Sequence, residues 1–172
     1  MALIVETGAG MANAESYASV SEANAYHRAG GNEAKWIDLD VDVKEIHLRN
    51  ATKFMRRVYR ARWAGGRVRA EQALDWPRYG VRVDDFAVLS TIVPTDVKDA
   101  CIELALRAID GPLLPDMETG SNQIKRDKVG PLETEYFQVD VDARARFTEI
   151  DALLAPYFGS AGGSNSIKLV RA

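Results

Sequence analysis

Hydrophobic positions recur at helical spacing in three stretches of the chain and alternate in a fourth, and these stretches predict a mainly α protein. Residues 3 to 16 carry Gly8, Gly10 and Asn13 and are expected to form an extended or irregular arm. Ser19 or Ser21 can cap a short helix running to about Arg28, where Gly30 and Gly31 stop it. Asp42 with Glu45 three residues on suggests a capping box for a longer helix, with Val43, Ile46, Asn50, Phe54 and Val58 as its apolar stripe up to about Ala61. Pro94, Thr95 and Asp96 announce another helix to about Asp110, ended by Gly111 and Pro112. Its Val97, Cys101, Leu104 and Ala108 fall on one face, with Asp99, Glu103 and Asp110 on the other.

The second half adds a hairpin. Residues 123 to 129 and 132 to 138 read as two strands joined at Gly130 and Pro131, with Lys125 and Lys128 on one and Glu133 and Glu135 on the other as cross-strand partners. A last helix is predicted from about Asp142 to Ala155, presenting Phe147, Ile150 and Leu154 and stopping before Pro156. The composition then changes to GSAGGSNS over 159–166, which is linker chemistry, before IKLVRA at 167–172 returns to a strand-capable alternation. The expected organisation is a small helical bundle with a protruding β-hairpin over 1–158, followed by a tether and extended C-terminal arm over 159–172. Ile167, Leu169 and Val170 of the arm are candidates to pair with a partner.

Composition narrows the function classes. A chain of 172 residues suits one domain with its own core. The single Cys101 sits in an apolar helical pattern and reads as an inert buried thiol, which suits synthesis in a reducing cytoplasm. The apolar run at the start, Ala2 to Val5, is too short and lacks a preceding basic residue for a targeting signal, and no stretch approaches the roughly 20 apolar residues of a membrane span. A formal net charge of −3 argues against a protein that grips nucleic acid over a broad surface, while leaving room for a local basic patch.

Catalytic and metal motifs fail on their own terms. Gly8 and Gly10 could open a dinucleotide fingerprint, but Asn13 stands in the third glycine's place. Asp38, Asp40 and Asp42 imitate a calcium loop, but Val43 replaces its turn glycine and Arg49 its bidentate glutamate. His27 and His47 have no cysteine or second histidine at ligand spacing. No enzyme activity, cofactor or metal is expected.

Two features remain. Arg49, Lys53, Arg56 and Arg60 fall at spacings of 4, 3 and 4 on one helix face, with no acidic residue between Glu45 and Glu71. That face is either solvated or meets an acidic partner surface or DNA phosphates. The segment around WAGGRVRAEQALDWPRYGV, residues 63–81, concentrates Trp63, Gly65, Gly66, Arg67, Gln72, Leu74, Trp76, Pro77 and Arg78. Its tryptophans are either core plugs or exposed base-stacking platforms beside the arginines; Pro77 after Trp76 suits a rigid anchor.

That segment, with IVETGAGMANAESYASVSEANAY near the start, VPTDVKDACIELALRAIDG at 93–111 and IKRDKVGPLETEY at 124–136, resembles a family of small tailed-phage proteins. The WPR and KVGP elements are its most specific parts. The family carries two descriptions: head-to-tail adaptor (connector) of long-tailed phages, and DnaT-like single-stranded-DNA-binding protein. The first implies a virion protein at the head-to-tail junction. It would form a ring, of twelve copies, on the portal protein and dock the next neck or tail-completion protein, with genome DNA passing through its channel without specific binding. The second implies direct single-strand binding. On the adaptor reading the partner-facing residues are the basic stripe, Trp63, Arg67, Trp76, Arg78, the hairpin residues Lys128, Gly130 and Pro131, and the apolar residues of the C-terminal arm.

Overall fold

The computed structural model describes residues 2–31, 33–114, 126–129, 132–135 and 147–159. Its body is mainly α. Helix α1 spans Val20–Gly30, and Ser19 caps it in a full capping box: its hydroxyl accepts from the Glu22 N–H, and Glu22 accepts from the Ser19 N–H at 2.7 Å. Gly31, at φ 73°, turns the chain out of the helix. A single-turn helix that the pattern did not reveal, α2 (Glu33–Ile37), follows at once and carries the fully buried Trp36, whose indole N–H donates to Asn24 of α1.

The central helix α3 spans Val41–Tyr59, and α4 spans Thr95–Arg107. These two pack together along their lengths, with α1 and α5 (Thr148–Leu154) against α4. The expected capping box of α3 does not form. Asp40 occupies the cap without a side-chain bond, and Glu45 is engaged elsewhere, accepting from the Leu3 N–H and pairing with Arg49. The buried face of α3 is also rotated from the expected stripe. It runs through Leu48, Ala51, Thr52, Met55 and Tyr59 and keeps Phe54 of the expected stripe, while Val43 and Val58 are half-buried and Asn50 and Ile46 are exposed, Ile46 by 52%. The reason is α4: Cys101 sits against Thr52, 3.3 Å between sulfur and hydroxyl oxygen, so the face that meets α4 is the one closed to water. Cys101 itself is fully buried, and burial pushes its thiol up, consistent with an inert packing role. The stripe of α4 follows the pattern through Val97, Cys101 and Leu104, with Ala100, Ile102 and Ala105 closing the core beside them, but the helix ends at Arg107, short of the expected Asp110, and leaves Ala108 as a half-buried C-cap.

Residues 3 to 16 are irregular but no arm. The chain folds back on itself through a bridge between Val5 and Ser16, and the buried carboxylate of Glu6 accepts the N–H groups of Gly8, Gly10 and Met11 at 2.8–3.0 Å. Gly8, at φ 101°, leaves no room for a side chain: a Cβ there would lie 2.0 Å from the Thr91 carbonyl oxygen.

Between α3 and α4 the chain makes two minimal ribbons, β1 (Gly66–Arg67) with β2 (Arg78–Tyr79), and β3 (Arg82–Val83) with β4 (Phe86–Ala87). Farther on, β5 (Arg126–Val129) and β6 (Leu132–Glu135) pair antiparallel as predicted, and their register sets Lys128 opposite Glu133 and Arg126 opposite Glu135. Lys125, Gly130 and Pro131 lie outside the described residues. Helix α5 ends at Leu154 and runs into a 3-10 turn, Ala155–Tyr157, that accommodates Pro156. The chain is then stitched to the end of α3 by Trp63–Phe158 bridging and by the Gly159 N–H on the Arg62 carbonyl.

Candidate functional site

The Trp/Arg segment is spent on the protein's own interior. Trp76 has no exposed surface and Trp63 only 6%. They meet edge to face and are enclosed by Tyr59, Tyr157 and Phe158, with centroid distances of 5.2–6.1 Å. The Trp76–Pro77 peptide bond is cis. Arg78, 7% exposed, donates to three carbonyls, those of Ala64 at 2.6 Å, Gly65 at 2.7 Å and Asp75 at 3.1 Å. Gln72, also buried, holds Leu74 and Pro77 carbonyls with its amide nitrogen, and Arg67 donates to the Gln72 carbonyl. Trp63, Trp76 and Arg78, expected at a partner surface, are therefore internal braces of this segment.

One acidic group is enclosed with them. The side chain of Asp75 is 2% exposed, and one carboxylate oxygen has no hydrogen-bond partner among the described residues. Desolvation raises its pKa, against the opposing pull of Arg60, 3.8 Å away. Burial likewise lowers the Arg78 pKa.

The basic stripe does not act as one unit. Arg49 is half-buried and bridges Glu15 and Glu45 at 3.1 and 3.2 Å. Its bonds to Glu15 hold that carboxyl below the usual range. Arg60 leans on Asp75. Lys53 and Arg56 are exposed and, among the described residues, pair with no carboxylate, and the same is true of Arg57, which the stripe omits. Lys53 and Arg57, four residues apart, line an open cleft of about 490 Å³ together with Asn50, Phe54, Ala108, Pro112, Leu113 and Leu114. The i,i+4 spacing of Lys53 and Arg57 was the available signal for this pair.

Large apolar side chains are also exposed where the sequence drew no attention. Phe86 is 79% exposed, Leu89 65% and Tyr79 59%. Phe86 stands at the tip of the β3–β4 ribbon, whose two turn residues, Asp84 and Asp85, both have positive φ, 50° and 66°. That geometry is the two-residue turn matching the twist of a β-ribbon, and aspartate tolerates it. A VDDF sequence carried this signal.

The remaining candidates are placed only in part. Lys128 is fixed by register alone, and Ile167, Leu169 and Val170 lie outside the described residues. Among the described residues no cluster of three metal-ligating side chains occurs, and no helix is long and apolar enough to cross a membrane. A family model described as "Putative DnaT-like ssDNA binding protein" matches residues 1–172. No curated protein and no solved structure matches the chain.

Proposed function

The chain belongs to the family of DnaT-like single-stranded-DNA-binding proteins by description, and within it we propose that this member is a structural part, the head-to-tail adaptor of a tailed phage. It assembles as a ring on the portal protein, continues the DNA channel and receives the next neck component. The observation that carries this reading is the enclosure of Trp63 and Trp76. Sequence-tolerant single-strand binders stack bases on exposed aromatic rings beside cations. Here the two tryptophans among the arginines are enclosed, and the most exposed large apolar side chain among the described residues, Phe86 at 79%, stands at the tip of a ribbon, where a protein neighbour can use it. The net charge of −3 fits a conduit, since a strongly basic lumen would hold the genome.

A second reading, direct single-strand binding, is favoured by the family's description and by the exposed Lys53, Arg56 and Arg57. Imaging the purified protein by negative stain, alone and with its portal, tests the first: rings seated on the portal are expected. Fluorescence anisotropy with labelled oligonucleotides tests the second. Submicromolar single-strand affinity at physiological salt, with no ring on any portal, would reverse the order.

A further inference from the structure

Two surfaces described above are complementary to each other. The β3–β4 ribbon carries an exposed phenyl ring, Phe86, next to the exposed carboxylates of Asp84 and Asp85, which have no side-chain partner among the described residues. Arg82 donates to the Asp85 backbone carbonyl and leaves both carboxylates outward. The base of the ribbon is fixed: Val81 is buried, Val83 pairs with Phe86 in register, and the Val88 N–H donates to the Val81 carbonyl at 3.0 Å. The tip is thus a pre-organised aromatic anchor with an acidic rim, held exposed to water without a covering side chain among the described residues.

The cleft beside α3 has the opposite character. Its lining combines the apolar Phe54, Pro112, Leu113 and Leu114, of which Leu114 is exposed, with Asn50 and the cations Lys53 and Arg57, which likewise lack a carboxylate partner among the described residues. At about 490 Å³ it has room for an aromatic side chain and its flanking turn. With Phe86 79% exposed, the cleft of the same chain does not take it.

We infer that the ribbon tip of one copy, Phe86 with Asp84 and Asp85, seats in the Lys53/Arg57 cleft of the next. Because knob and socket are different surfaces of the same chain, the contact is heterologous, and repetition closes a ring if the rotation allows. Phe86 supplies the buried anchor, and the Asp84/Asp85 carboxylates meeting Lys53 and Arg57 set orientation and association rate. This rests on the ring reading above and specifies its contact.

The test uses sedimentation velocity and native mass spectrometry on the full chain. Phe86→Ala, an exposed substitution that should leave Tm unchanged, is expected to weaken self-association by about 30-fold or more, the effect of losing an interface anchor. A tip-silenced variant (Asp84→Asn, Asp85→Asn, Phe86→Ala) and a cleft-silenced variant (Lys53→Glu, Arg57→Glu) should each be monomeric. Mixed in equal amounts they should form a one-to-one dimer, because each retains one half of the contact. Assembly of the wild type that is untouched by Phe86→Ala would remove this contact and leave the ring reading standing. A wild type that stays monomeric with and without its portal would remove both. Loss of single-strand binding in the cleft-silenced variant, with self-association intact, would assign the cleft to nucleic acid and overturn the inference.

Discussion

Trp63 meets Trp76 edge to face, with ring centroids 5.7 Å apart and planes at 85°. The pair links two ends of a loop thirteen residues apart and fills the space between the end of α3 and the C-terminal 3-10 turn. Trp76→Ala is expected to cost about 3–5 kcal/mol, as enclosed aromatic truncations do, read from urea unfolding. Intrinsic fluorescence should be blue-shifted, and single-stranded DNA should leave it unchanged, since Trp36 is buried as well. Quenching by an oligonucleotide that disappears in Trp63→Ala would place that ring at a base instead.

Arg78 offers a sharper probe of the same segment, because its guanidinium satisfies three carbonyls from within the protein. Removing it strands those acceptors and leaves Asp75 with less compensation. Arg78→Ala should lose about 3 kcal/mol or more. Arg78→Lys should recover little of that, since one ammonium on a flexible stem cannot reproduce the planar fork. Full stability in the lysine variant, measured by thermal and urea denaturation, would show that charge alone matters there.

How far the sequence could be read follows from what kind of contact decided each element. A serine cap at Ser19 or Ser21 with the Gly30 and Gly31 stop, or the spacing of Val97, Cys101 and Leu104, acts within one helix, and these local signals were sufficient to place α1 and α4. The rotation of the buried face of α3 depends on where α4 lies, and no window around Val43 or Ile46 contains that information. Glu45 looked like half of a capping box because its spacing from Asp42 was right, yet a long-range bond to Leu3 and the pair with Arg49 claimed it. The stripe on α3 failed as a unit for the same reason: Glu15 and Asp75, distant in sequence, pair with Arg49 and Arg60 and leave Lys53, Arg56 and Arg57 as the free set among the described residues. Alternation over two-residue strands is too short to register, so the β3–β4 ribbon and Phe86 were visible only through Asp84 and Asp85.

Charge reversal separates the two uses of the basic face. Arg56→Glu with Arg60→Glu is expected to weaken ring or portal association by pull-down with the portal, and to leave single-strand binding weak at physiological salt. Arg60 also contacts the buried Asp75 and Arg56 acts on it at longer range, so the Tm of Arg56→Glu and of the double variant is measured alongside association to separate loss of fold from loss of contact. Were the face a phosphate track, each cation lost would flatten the dependence of log affinity on log salt by about 0.7. Such a slope change in a salt titration would favour the nucleic-acid reading.

Truncation tests the tether and arm. The described body ends with the Gly159 N–H on the Arg62 carbonyl, so removing 160–172 spares every contact seen here. Tm should stay nearly unchanged while stable docking on the portal or a neighbour is lost, because Ile167, Leu169 and Val170 suit strand addition or groove filling on a partner. Normal assembly by the truncated chain would remove the arm from the mechanism.

Acid sensitivity above the carboxylate range should trace to His27. Its ring has no exposed surface, lies 5.1 Å from Trp36 and 5.5 Å from Tyr26, and burial pushes its pKa below the ordinary histidine value, outweighing the opposite effect of Glu103. The unfolded chain therefore binds the proton first as pH falls through about 6.5. Stability contributed by the neutral ring is fully present above that point and is lost toward the lower folded pKa. His47 is displaced in the same direction by burial and adds to the effect. Asp75 and Asp99, both raised by desolvation, work the other way, regaining stability as pH falls through their folded pKa toward the ordinary aspartate range. The difference between two proteins isolates the histidine: from about pH 7.5 to 5.5, wild-type Tm should fall more than that of His27→Leu. Parallel curves for the two across that interval would show that protonation of His27 is not opposed by the fold.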